Sequence, residues 1–250
     1  VPCGVTLAFT ERTGGFSEGE FASLNLGSRC GDNLQQVQKN RQLVLEALGA
    51  GEHFSRLLIP HQVHGSKVVC LTSNTSEAFE LAQAEAEAGA DAIVCTVQNT
   101  PVMLAFADCV PVILVAPGGF AVAHSGWKGT IARISARATE ALCQATGAKP
   151  SEVKAYIGPH IGGADYEVSP ELIQMFSQEF GPGVVDRASG ERYLDLGYAV
   201  RAALVDAGVR ASAIEEVTDS TASTTERFFS YRAEHGKCGR HAAVAYMAVK

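Results

Sequence analysis

Residues 104–130 read LAFADCVPVILVAPGGFAVAHSGWKGT. With the two residues before them they hold three apolar runs of strand length, Val102–Phe106, Val110–Val115 and Phe120–Ala123. Ala116-Pro117-Gly118-Gly119 separates the last two as a turn. Polar residues collect at the breaks: Ala107-Asp108-Cys109 before one run and His124-Ser125-Gly126-Trp127-Lys128 after another. If the runs from Val110 and Phe120 pair as neighbouring strands, the turn between them brings Cys109 and His124 together. A thiol and an imidazole at one end of a sheet make either a metal half-site or a nucleophile–base pair.

Upstream, Val5–Thr10 alternates as a strand and is followed by the glycine-containing loop Arg12–Ser17. That loop is either a surface turn with a solvated Arg12 or an anion-holding loop, since freed backbone N–H groups and a guanidinium fork suit phosphate. Asn25 lies in an apolar context and needs partners if buried. Asp32 or Asn33 caps a helix to about Leu48, with Val37, Val44, Leu45 and Leu48 inward and Arg41 as a surface charge. His61 and His64 precede a strand at Lys67–Leu71; three apart on extended chain, they face opposite ways, so only one belongs at a site. A short helix within residues 73–87 turns Ala78, Leu81, Ala82 and Ala86 inward, and Ala90–Val97 is a strand with Asp91 at its head.

Downstream, Thr130–Thr146 has the 3.6-residue stripe of one helix, Ile131, Ile134, Ala138, Ala141 and Leu142, ended by Gly147. The strand Lys154–Ile157 runs into Gly158–Gly163, where His160 stands in either a ligand loop or an ordinary turn. Ser169-Pro170 opens a helix to Phe180, and Asp195 caps another to Asp206. Late strands are expected at Ile214–Val217 and His241–Val249, with two arginines among the aromatics of Arg227–Arg232 between them.

At 250 residues, 46% hydrophobic and 19% charged, the chain reads as a compact globular protein with a sizeable core. A formal net charge of −7 argues against a nucleic-acid duplex or an anionic membrane as partner. Seven scattered cysteines, odd in number and without a CxxC, indicate a reducing compartment. No signal-like opening or membrane-length apolar run is seen, so a cytoplasmic location is expected. No repeat, linker or low-complexity tract divides the chain. The expected architecture is one α/β domain over residues 1–250, with a mixed or antiparallel sheet flanked by helices. The GxGxxG and P-loop patterns of doubly wound nucleotide-binding sheets are absent.

In order along the chain stand RTGGFS, SLNLG, HQVHG, ADCVP, HSGWKG, IGPHIGGADYEV and RFFSYR. Together they resemble the laccase-domain (YfiH-like) family, formerly labelled multicopper polyphenol oxidases and later recognised as zinc-dependent purine nucleoside phosphorylases. The resemblance implies a YfiH-like α/β domain and a metal site at His64, Cys109 and His124. It also implies phosphorolysis of adenosine, inosine, guanosine and methylthioadenosine, and deamination of adenosine. The partners are then a purine nucleoside and phosphate. Against the family pattern, Lys128 replaces a usual Arg, Val200 a usual Asn, and Ser220-Thr221 a usual Cys-Thr pair.

Two imidazoles and a thiolate with a fourth position open are the ligand set of a catalytic zinc ion. Asp108 is the nearest carboxylate in sequence for moving a proton in deamination, with Glu167 as the alternative. Arg12 and then Lys128 are expected to hold phosphate, Asn25 to contribute to the substrate site, and Trp127 and His160 to flank the purine. Three rivals use the same residues. Without a metal, Cys109 and His124 make a hydrolase or deamidase dyad, which has no need of His64. Cu2+ in place of Zn2+ gives a phenol oxidase, although seven histidines are too few for a multicopper oxygen-reducing centre. A fourth ligand from His61 or His160 makes a closed, structural zinc module.

Overall fold

The computed structural model describes residues 2–248. Its scaffold is the mixed α/β arrangement expected, but it uses two sheets rather than one. The larger contains β2 (Val68–Leu71), β3 (Ala92–Cys95), β5 (Val110–Ala116), β6 (Gly119–Ser125), β7 (Lys154–Ile157) and β8 (Ile214–Glu216), in the order β2-β3-β6-β5-β7-β8. The smaller contains β1 (Val5–Phe9), β4 (Val102–Phe106) and β9 (His241–Met247), in the order β1-β9-β4. The C-terminal strand was expected to reach Val249, which lies outside the described residues.

Period-two alternation explains the stacking. On β5, Val112 and Leu114 face a core that includes Ile134, Phe176 and Leu204. Ile113 and Val115 face the opposite core, beside Leu104 and Ala245. The six-stranded sheet is therefore covered on both sides, and β5 and β6 are buried at every position. One cover is helical: α4 (Ile134–Thr146), α5 (Pro170–Phe180) and α6 (Leu196–Asp206). The other is the small sheet, whose far face (Met103, Ala242, Val244, Tyr246) packs against Val44 and Leu45 of α1 (Leu34–Ala47). Four layers result.

Caps follow the sequence. Asn33 accepts the Gln35 N–H, Ser169 the Leu172 N–H and Asp195 the Tyr198 N–H, while Gly147 ends α4 in the left-handed region. α2 (Ser76–Glu87) buries Ala82 and Ala86, but Leu81, expected inward, is 61% exposed. Three alanines already fill that narrow face.

Two other expectations fail. The single helix over Thr130–Thr146 is two: α3 (Trp127–Ile131) and α4, separated at Arg133, which is left-handed (φ 57°). Arg133 is held there by Glu179 (2.5 Å) and Asp206 (2.9 Å), and the bend lets the chain leave the end of β6 before α4 lies down on the sheet. Arg41, read as a surface charge, is buried. Its Nε and Nη2 donate to the Leu26 carbonyl (3.0 and 2.8 Å), fastening α1 to the loop before it. Among the described residues, no helix is long and apolar enough to cross a membrane.

Candidate metal centre and its cavity

The β5–β6 hairpin pairs Pro111 with His124 and Val110 with Ser125, which places Cys109 beside the end of β6. Cys109 follows the crossing from the small sheet to the large one, where Asp108 takes a left-handed backbone (φ 84°). Next to β6, β3 begins at Ala92 opposite Ala123, so Asp91 falls opposite His124. β2 runs parallel to β3 from Val68, and the loop before it, with His64 at φ 58°, arrives at the same end. Four strand ends therefore deliver His64, Asp91, Cys109 and His124 to one point.

Ligand atoms of His64, Cys109 and His124 lie within 4.8 Å of one another. The two imidazoles meet edge to face at 4.8 Å between ring centres. That spacing lets the three atoms face a common point. Gly126 leaves room for this: a Cβ there would stand 2.9 Å from His64 Cδ2, 3.0 Å from Cys109 Sγ and 3.8 Å from His124 Cε1. The group is able to hold a metal, and the donor set is a borderline-soft one.

Asp91 is fully buried and takes four hydrogen bonds. Its Oδ1 meets His124 Nδ1 (2.8 Å) and accepts from His64 N–H (2.9 Å); Oδ2 accepts from Gly65 (2.7 Å) and Val63 (3.3 Å) N–H. Such pairing lets a charge survive burial. Burial by itself raises the Asp91 carboxyl, but the His124 imidazole and the Gly65 and Val63 N–H groups outweigh it and hold it below the usual range. An ionised Asp91 keeps the proton on His124 Nδ1 and leaves Nε2 as the ligand atom. Burial likewise opposes charge on Cys109 and His124, yet each stabilises the other's charged form. The thiol is pushed down and the imidazole up.

The cluster opens into a cavity of about 620 Å³. Trp127, Tyr166 and Tyr231 supply its aromatic wall, and Arg29, Arg41, Arg232 and Arg240 supply positive charge. Asp108 also lines it; its oxygens accept from Thr221 Oγ1 (2.7 Å) and the Arg232 N–H (2.6 Å). Thr221 thus anchors Asp108, while its neighbour Ser220 bonds Asp165 (2.5 Å) and the Gly162 N–H (2.9 Å).

Several residues expected at the site are not part of the lining. Arg12 donates to the Thr225 carbonyl (2.7 Å), pairs with Glu234 (3.0 Å) and stacks over Phe229. Asn25 is spent on Gly27, Asp32 and the Arg240 N–H. His160 is buried, bonded to the Gly158 carbonyl (2.8 Å), and burial pushes its imidazole down. Lys128 lies over the Trp127 ring, exposed to solvent. Glu167 pairs with Arg192 (3.1 Å), and His61 is outside the ligand group. Sequence reading passed over Asp91, whose signal was one acid at the head of a wholly apolar strand, and the four cavity arginines, which no local pattern marks.

A His-Cys-His cluster at the end of a mixed sheet, opening into a polar–aromatic cavity, makes a candidate metal centre on an α/β scaffold. The chain belongs to the family described as multi-copper polyphenol oxidoreductase laccase, whose model matches residues 6–248. It is 38% identical over 241 residues to a purine nucleoside phosphorylase of Deinococcus radiodurans, covering 95% of this chain and 87% of that one. It is 32% identical over 219 residues to adenosine deaminase RL5 from an unknown prokaryotic organism, covering 85% and 82%. The crystal structure of YlmD from Geobacillus stearothermophilus superposes with a TM-score of 0.87 at 30% identity, covering 100% of this chain and 94% of that one. The protein is an enzyme.

Proposed function

We propose that this enzyme is a zinc-dependent, cytoplasmic purine nucleoside phosphorylase that cleaves adenosine, inosine, guanosine and methylthioadenosine to base and ribose 1-phosphate. Deamination of adenosine is its second activity. What carries this reading is the His64-Cys109-His124 cluster in the lining of a cavity of about 620 Å³, large enough for a nucleoside and phosphate together. Its relatives named purine nucleoside phosphorylase and adenosine deaminase support it.

His64, Cys109 and His124 would hold the ion, which when bound supplies Lewis acidity at the reacting end of the cavity. Asp91 orients His124 through Nδ1. In phosphorolysis a phosphate oxygen forms a bond to C1′ while the C1′–N9 bond breaks, and the base leaves with the electron pair and is protonated. Asp108, fixed by Thr221 and Arg232, is the carboxylate in the lining and moves the proton. Trp127 and Tyr166 offer aromatic faces to the purine.

Purified protein with inosine and phosphate is expected to release hypoxanthine and ribose 1-phosphate in equal amounts. Base release at the same rate without phosphate would make it a hydrolase instead. Elemental analysis decides between zinc and copper.

A further inference from the structure

Four arginines, Arg29, Arg41, Arg232 and Arg240, line the cavity. Among the described residues none of them pairs with a carboxylate; the ion-paired arginines are Arg12, Arg133, Arg192, Arg201 and Arg227. Three of the four are fixed by neutral acceptors. Arg41 donates from Nε and Nη2 to the Leu26 carbonyl, Arg232 from Nη1 to the Glu167 carbonyl (3.0 Å), and Arg240 from Nη1 to the Cys238 and Gly239 carbonyls (both 2.7 Å). Carbonyl bonds orient a guanidinium without cancelling its charge. Asp108, the carboxylate of the lining, has both oxygens engaged.

Arg41 is the most telling. It is only 6% exposed, and its Nη1 has no hydrogen-bond partner among the described residues. Burying a cation with no counter-ion is costly, and a protein of net charge −7 has acids to spare for pairing it. The chain instead leaves four positive forks open toward one space. Forks of this kind match the oxygens of a tetrahedral oxyanion.

We infer that Arg41, together with Arg29, Arg232 and Arg240, forms a phosphate subsite in the cavity, distinct from the loop of Arg12. The identity of its occupant as inorganic phosphate rests on the phosphorolysis proposed above; the same chemistry would serve a phosphate already attached to a nucleoside. Arg41 is the buried anchor and Arg29, exposed and with no side-chain hydrogen bond among the described residues, the outer contact.

Direct titration of the metal-loaded protein with inorganic phosphate, by calorimetry in a phosphate-free chloride buffer, tests the subsite without any turnover. Arg41→Met is expected to weaken phosphate binding about 10–100-fold, the loss of a charge-assisted bidentate contact, with Arg41→Lys in between. Because Arg41 also fastens Leu26, Arg29→Gln serves as the second variant; it touches no structural bond and should weaken phosphate several-fold. Inosine binding without phosphate should change less than about twofold in Arg29→Gln. Unchanged phosphate affinity in folded Arg41→Lys and Arg29→Gln overturns the subsite, even if the enzyme proves to be a phosphorylase. Arginine-dependent phosphate binding in a protein that cleaves no nucleoside upholds the subsite and removes the phosphorolysis reading. If adenosine 5′-monophosphate gains affinity over adenosine through Arg41 while inorganic phosphate fails to compete, inorganic phosphate as the occupant is overturned.

Discussion

The Asp91 carboxylate meets His124 Nδ1 at 2.8 Å and, on the same oxygen, the backbone N–H of His64 at 2.9 Å. One buried acid thus orders two of the three candidate ligands, one through its ring and the other through its main chain. Asn at this position would set an amide N–H₂ against either the Gly65 and Val63 donors or the His64 and His124 donors. Asp91→Asn is therefore expected to lower zinc affinity about 10–100-fold. Competition with a chromophoric chelator measures this, and an unchanged zinc affinity would remove Asp91 from the centre.

Gly126 is demanded by space rather than by conformation. Its φ of −75° suits any residue, but a Cβ would stand 2.9 Å from His64 and 3.0 Å from the Cys109 sulfur. Gly126→Ala should purify folded, with a melting temperature in the metal-free state close to wild type, yet with metal content well below one ion per chain. Full occupancy measured by mass spectrometry would show that the three side chains close elsewhere.

Cys109 offers a chemical probe. Its thiol is pushed down despite burial because His124 and His64 favour the thiolate. In metal-free protein, iodoacetamide should modify Cys109 at neutral pH faster than Cys95 or Cys238, both pushed up to about 11 chiefly by burial. Added zinc should suppress the reaction at Cys109 by at least about tenfold. Site-resolved peptide mapping reads this. Rapid alkylation that zinc does not slow would favour the nucleophile–base dyad.

His241 links acid to stability. It is fully buried between Phe106 and Phe228, and among the described residues neither ring nitrogen has a partner at hydrogen-bond geometry. Burial pushes its imidazole down to about 3, with the Pro159 carbonyl offering only partial compensation. The unfolded chain, with an ordinary imidazole near 6.5, therefore binds the extra proton between those values. Stability is fully present above about pH 6.5 and is lost on acidification toward pH 3, at about 1.4 kcal/mol per pH unit from this one group. His241→Phe should be at least as stable as wild type at pH 7 and flatter by about one proton between pH 6 and 4. Denaturant unfolding across that range checks it; parallel curves for the two proteins would contradict it.

Much of the scaffold is local and was therefore readable. Asn33, Ser169, Asp195 and Gly147 each act on a helix end within four residues of themselves. The closeness of Cys109 and His124 was readable too, because a short turn leaves their two strands a single sensible pairing. His64 came by likeness of motif rather than by pattern, since nothing within residues 61–66 marks one imidazole over the other. Helix periodicity over 130–146 failed at Arg133, where ion pairs from two other helices select a left-handed residue inside an otherwise continuous stripe.

Chain order and apolar spacing by themselves determined the class of fold, most element boundaries and the thiol–imidazole hairpin, because each depends on neighbours a few residues apart. Tertiary structure alone decided the split into two sheets, the capture of His124 and His64 by Asp91, and which arginines face the cavity. Arg12 sits in a glycine loop that suits phosphate, and Arg41 on a helix that suggests none. Packing of α1 against the small sheet buries Arg41 at the cavity, while Arg12 is claimed by Glu234, 222 residues further along the chain than Arg12. A charge becomes available to a ligand only when no carboxylate lies within reach, and reach is a property of the folded chain.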